Sequence, residues 1–250
     1  MTPEQKSDQS KQSTEFDGEL DGMRQAVNAA EDEAMLAVQF HESWRPAAFD
    51  EELHARMGQS YATHTFQIVR SALRREMLMA LMRIWDKDSR TVRLAAIVEK
   101  LRNKAFFEGL VRNRAQRMGF NFDCTDAMRD ALKPKRDQVV KLVHRYAKDG
   151  ESAEVFERVS TLRHQWLAHR QIDREPISAS VGGDSEREIE QFYQDTLEII
   201  RLLLSIVLAR AFDIANDGAG VYSHHASFFW ASVRGERTEG HPNFRAPDLE

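Results

Sequence analysis

Residues 61–85, YATHTFQIVRSALRREMLMALMRIW, decide the fold. Phe66, Val69, Leu73, Met77, Leu81 and Ile84 recur every three or four positions and so line one face of a helix, which Ile68, Ala72, Leu78 and Met82 widen. The stretch predicts a central core helix. Upstream, Val27, Ala30, Ala34 and Val38 keep helical spacing from Met23 onward, and Pro46 is expected to end that helix because proline disfavours helix in the residue before it. Residues 1–22 are polar and acidic, with too little apolar surface to offset ordering entropy, and read as a disordered tail.

Downstream, a turn at Asp86-Lys87-Asp88-Ser89 leads to Val92, Leu94, Ala95, Ile97, Val98 and Leu101, a helical pattern expected to run on to Leu110 and beyond. Asp123 or Thr125 is a suitable cap for the next helix, which carries Val139, Val140, Leu142 and Val143 and stops near Gly150. Val155, Val159, Leu162 and Trp166 form a further seam that Pro176 closes. Ser185 with Glu188 has the spacing of a capping box. Ile189, Phe192, Thr196, Ile199, Leu203, Ile206 and Ala209 then predict a long amphipathic helix ending at Asn216-Asp217-Gly218. No alternating strand pattern or long-period repeat appears. The expected architecture is an all-α bundle of four to six helices in a single domain, residues 23–216. It is followed at 217–250 by a short helix or strap that packs Tyr222, Phe228, Phe229 and Trp230 on the bundle, and by a flexible end.

Composition agrees with this class. Gly at 12 and Pro at 6 are sparse for 250 residues, and a hydrophobic fraction of 42% can fill a core. The single cysteine, Cys124, excludes an internal disulfide and a Cys-rich zinc site and fits a reducing compartment. No apolar run reaches the roughly 18 residues of a membrane span, and the N-terminal stretch lacks the apolar core of a signal peptide. A cytoplasmic location without membrane contact is expected. The net charge of -5 hides an uneven distribution: residues 61–150 hold 20 Lys and Arg against 10 Asp and Glu, while both flanks are acidic. Such a segment can meet phosphates, and it can equally be a set of solvated helix faces.

One stretch carries chemistry. In residues 161–170, TLRHQWLAHR, the seam Val155, Val159, Leu162, Trp166 continues by a step of three to His169, which places an imidazole where an apolar side chain would fit. Arg163 lies six residues earlier, about 120° around an ideal helix and about 9 Å along it. A second copy of the helix in a two-fold dimer would bring two arginines and two histidines into one cleft. A group titrating near neutrality beside a fixed cation suits RNA cleavage, in which the 2′-hydroxyl is the internal nucleophile, histidine moves the proton and arginine holds the phosphate. The same residues at a helix end also satisfy the helix dipole, a purely structural role. Arg170 and Arg174 could steer RNA or form surface ion pairs. His224, His225 and His241 match no metal-ligand spacing, and His41, His54 and His64 receive no role.

Arg163 to His169, RHQWLAH, resembles the R-polar-x-x-x-A-H motif of the HEPN superfamily, and Met82-Arg83-Ile84-Trp85-Asp86 with the Thr91–Leu101 segment resembles its AbiU2-like branch. The similarity spans roughly residues 25–215. It implies an HEPN-type helical bundle in which Arg163 and His169 are the catalytic pair and His164 supports them, departing from the commoner Asn or Asp there. It also implies dimerisation through this helix and RNA cleavage with neither metal nor cofactor. A setting in phage defence or a toxin-antitoxin pair, with an antitoxin or defence partner, goes with that resemblance. A bundle that has lost activity and only binds nucleic acid or protein is the alternative. Arg83 and Asp86 are expected to bridge one another and close their helix end.

Overall fold

The computed structural model describes residues 3–86, 94–167, 183–236, 240 and 244, with side chains over 14–86, 94–163 and 186–236 and at 240 and 244. Nine α-helices appear among them, more than the four to six expected, and no strand does. They are α1 (Pro3–Phe49), α2 (Glu51–Met57), α3 (Tyr61–Ile84), α4 (Leu94–Arg102), α5 (Lys104–Arg117), α6 (Thr125–Arg145), α7 (Ala153–Leu167), α8 (Gly183–Leu203) and α9 (Ala219–Ala231). The extra helices arise where short polar residues break long apolar patterns. Asn103 separates α4 from α5 because its side chain accepts the Phe106 N–H and restarts the helix. Asp50 does the same for Leu53 at the start of α2.

The chain packs as two compact units, residues 1–33 with 82–212, and residues 34–81 with 213–250, where the helical pattern of the sequence reads as a single domain. In the first, α6 packs on α4, α5 and α8, and α7 packs on α8. Leu94, Leu101, Phe107, Leu110, Val111, Val139, Val159, Phe192 and Ile199 are buried there. The second is centred on Ala47, Leu53, Met57, Phe66, Ala226 and Trp230. Phe66 and Trp230 meet edge to face at 5.6 Å, and the indole N–H donates to the Ser43 carbonyl at 2.8 Å. Phe228 and Phe229, expected to pack inward, are exposed.

Three boundaries differ from the sequence expectation. The acidic stretch given to a tail is helical from Pro3, and its few apolar residues suffice: Leu20 is fully buried, and the Phe16 ring packs on Phe106 and over Gly109. Pro46 does not end α1, which continues for one more turn to Phe49. So near the C-terminal end proline forfeits a single hydrogen bond, and Asp50 N–H still closes on the Pro46 carbonyl at 3.0 Å. The long helix expected up to Gly218 breaks earlier, at Leu204–Leu208, a π-helical turn ended by Ala209 at φ 60°. A second π turn, Ile214–Gly218, then leads into α9.

Gly150 is a stop by close approach. A Cβ there would lie 2.2 Å from the Arg145 carbonyl oxygen, so Gly150→Ala is expected to cost about 1–3 kcal/mol. A lowered urea midpoint with an unchanged slope would register it; an unaltered midpoint would show that the turn yields freely.

Candidate functional site

The Arg83-Ile84-Trp85-Asp86 segment at the end of α3 ties four helices of its unit together. Arg83 turns to α1, donating from Nε to Glu33 Oε2 at 2.7 Å. Trp85 lies among Tyr146 at the C-terminal cap of α6, Phe156 of α7 and Phe192 of α8, with ring centroids at 5.4, 5.7 and 5.4 Å. Its indole N–H donates to Thr196 Oγ1 at 3.1 Å, and the Thr196 hydroxyl donates onward to the Phe192 carbonyl at 2.7 Å. Both polar groups at the centre of that corner therefore have a partner, as burial requires.

Asp86 accepts from Arg163. The guanidinium Nη2 is 2.6 Å from Asp86 Oδ2, and the two side chains are only 22% and 17% exposed. The expected Arg83–Asp86 bridge is thus replaced by two longer-range ion pairs, Arg83 with Glu33 and Arg163 with Asp86. The geometry follows from helix periodicity. Phe156 and Arg163 are seven residues apart, so they share one face of α7, and they meet the consecutive residues Trp85 and Asp86. The aromatic contact sets the position of α7, and the ion pair then fixes the guanidinium. A charge-assisted hydrogen bond of this length in a half-buried setting leaves the arginine a defined direction while its other nitrogens can still donate to an anion.

The segment is supported by a network that sequence reasoning missed. Asp195, buried on α8, accepts from Arg145 Nη1 at 2.7 Å and from the Tyr146 hydroxyl at 2.8 Å through Oδ2, and from Gln191 at 2.8 Å through Oδ1. Its signal was present, since Asp195 interrupts the apolar seam between Phe192 and Ile199. Burial first, and the Asp195 carboxylate second, raise the Tyr146 pKa above its ordinary 10.0. A group whose folded pKa is raised contributes stability that is present below about pH 10 and is lost as pH rises toward the folded value. Tyr146 is therefore expected to stay protonated until the chain unfolds in alkali, and Tyr146→Phe should remove that late step from the absorbance titration of phenolate. The same titration in wild type and variant would refute this.

Among the predicted site residues, Arg163 is thus placed against Asp86. His164 lies on α7, but its side chain, together with His169, Arg170 and Arg174, lies outside the described residues. Among the described residues no cluster of three His, Cys, Asp or Glu side chains forms that could hold a metal ion, and no helix is long and apolar enough to cross a membrane. His224 and His225 sit side by side on α9 with ring centroids 6.2 Å apart. His41 Nδ1 lies 2.8 Å from Glu42 Oε1 in the core of the second unit.

In comparison with known proteins, a family model, HEPN_AbiU2, described as AbiU2, matches residues 13–226. No curated protein and no solved structure matches the chain. The matched span includes the whole Arg83–Asp86 segment and all of α7.

Proposed function

The chain belongs to the AbiU2 family of HEPN proteins, and from that premise we propose that it is a metal-independent endoribonuclease acting in phage defence or a toxin-antitoxin system. The family gives the HEPN-type nuclease and abortive-infection context. The observation that carries the reading to this chain is the Arg163–Asp86 pair, which holds the motif arginine in a fixed, half-buried direction. In the proposed reaction His169 takes the proton of a 2′-hydroxyl, the 2′-oxygen bonds to the adjacent phosphorus, and the 5′-oxygen leaves with a proton. Arg163 donates to the non-bridging phosphate oxygens as their charge grows. The products are a 2′,3′-cyclic phosphate or its hydrolysis product and a 5′-hydroxyl. His164 supports the pair, and Arg170 and Arg174 guide RNA toward it.

HEPN domains commonly dimerise, and two copies joined through α7 would give one cleft with two such sets, so that one histidine acts as base and the other as acid. The cytoplasm is the proposed compartment, and an antitoxin or defence partner would restrain the enzyme. The test is cleavage of a mixed RNA pool by the purified full chain in EDTA. Wild type should yield cyclic-phosphate or 3′-phosphate ends, and His169→Ala should lower the rate roughly 10²–10⁴-fold, the usual share of a general acid or base. Equal cleavage by both proteins would sink the proposal.

A second reading is favoured by one observation. Arg163 is already neutralised by Asp86, as suits a bundle that binds nucleic acid or a protein partner without cutting it. RNA binding that survives His169→Ala, with no cleavage by wild type, would select this reading.

A further inference from the structure

Met118 to Cys124 join α5 to α6 and present three large apolar side chains to solvent: Met118, Phe120 and Phe122 are 51%, 52% and 63% exposed. The two phenylalanine rings stack in parallel, with centroids 5.1 Å apart and planes within 9°. The core rings around Trp85 meet at 41° to 76° instead. Parallel stacking covers only the inner faces and leaves the outer faces of an exposed pair able to take another planar group. The loop is held at both ends. Met118 and Gly119 N–H groups donate to Ala115 and Gln116 carbonyls at 3.2 Å, Gly119 takes φ 68°, and Asp123 Oδ1 accepts from Thr125 N–H at 2.9 Å.

The helix leading into this loop is basic. Arg112 and Arg117 of α5 are exposed. Arg114 turns inward to the Ser205 and Ile206 carbonyls, and its pKa is lowered first by burial and then by repulsion from Arg117 and Arg24. The neighbouring carboxylates are largely engaged. Arg129 clasps Glu108 and Asp126, and Asp123 caps α6, which leaves Asp130 as the remaining acid of that first turn and a half. Two exposed rings, on a loop that follows directly on the exposed Arg117 and a helix that also exposes Arg112, fit a base and its phosphates better than a protein surface, whose centre is poor in charge.

We propose that Phe120 and Phe122 form a stacking platform for an unpaired nucleobase of a single-stranded nucleic acid, with Arg112 and Arg117 meeting the adjoining phosphates. The platform deepens the ribonuclease reading, on which it rests, by giving the substrate an unpaired state, and it is tested by binding alone. The probes are a 12-nucleotide 2′-O-methyl RNA, which lacks the attacking hydroxyl, and DNA of the same sequence, each carrying one 2-aminopurine, with a duplex as the third arm.

Wild-type full chain should quench the fluorescence of the single strands and bind the duplex weakly. Phe122→Leu should weaken binding roughly tenfold, the effect of losing one base from an aromatic stack. Phe122→Trp should retain it, and Arg112→Gln with Arg117→Gln should lower the salt slope by about 1 to 2. Preference for RNA over DNA would add contact to the ribose, and equal binding would confine recognition to base and phosphate; either supports the platform. Unaltered affinity in Phe120→Ala/Phe122→Ala, or a changed oligomeric state with no change in oligonucleotide binding, would overturn it. If RNA cleavage depends on His169 but not on these rings, the platform fails and the ribonuclease reading stands. If binding depends on the rings and no RNA is cleaved, the platform stands and the ribonuclease reading fails.

Discussion

Replacing Arg163 by alanine should lower RNA cleavage by roughly 10²–10³-fold or more, the range seen when one preorganised donor to a developing oxyanion is removed. The chain should remain folded, because Arg163 is half-buried and belongs to neither apolar core. Its one cost is the loss of the Arg163–Asp86 bond at a carboxylate that is 17% exposed. Arg163→Lys is not expected to restore activity: an ammonium can pair with Asp86 or meet the phosphate, but it lacks the planar fork that does both. Asp86→Ala tests the same geometry from the other side. With the guanidinium released from its partner, an ångström of misplacement is worth up to about 10²-fold in rate. The loss should fall on kcat, with KM nearly unchanged. A full rate for Arg163→Ala would remove the basis of the ribonuclease reading, and a full rate for Asp86→Ala would reduce the ion pair to a structural bridge.

What could be read from the sequence depended on the range of the interaction. The 61–85 stretch was legible because its apolar residues alone define a face, no Gly or Pro interrupts them, and α3 follows as Tyr61–Ile84. Ile68, which was expected to widen that face, is 55% exposed. Periodicity gave the helix, and only packing could choose between neighbouring stripes. Phe16 and Leu20 show the opposite case. Two apolar residues in an acidic run carry little pattern, yet they are enough once the helix packs: Leu20 is buried, and Phe106 and Gly109 receive Phe16. Asn103 broke a pattern that had looked continuous, since a cap acts through one side-chain hydrogen bond and leaves hydrophobic spacing unaltered. In the candidate site, the chemical types of Arg163 and Asp86 were visible, but their pairing joins positions 77 residues apart. No local rule could have preferred it to Arg83 with Asp86, three residues apart, which satisfies the helical spacing and is not formed.

Asp195→Ala is the substitution expected to destabilise the chain most. It would strip Oδ2 from Arg145 and Tyr146 and Oδ1 from Gln191 in one step. Removing one partner of a buried ion pair costs about 3–5 kcal/mol, chiefly because the other is left uncompensated. Arg145 keeps its bond to Glu151 at 2.6 Å and a side-chain exposure of 28%, so the low end, about 3 kcal/mol, applies. For a chain of this size that corresponds to a fall of roughly 10 °C in Tm. Asp195→Asn should cost less, since its carbonyl can still accept from Tyr146. The effect should also reach the site, because the Tyr146 ring meets Trp85 at 5.4 Å and Trp85 directly precedes Asp86. Tyr146→Phe, which keeps the ring and deletes the hydroxyl, separates the two routes: it should lower stability while leaving the Trp85 contact and the cleavage rate in place. If Asp195→Ala melted with wild type, the network would be a solvated surface feature and the position of Asp86 would have to be set by Trp85 packing alone.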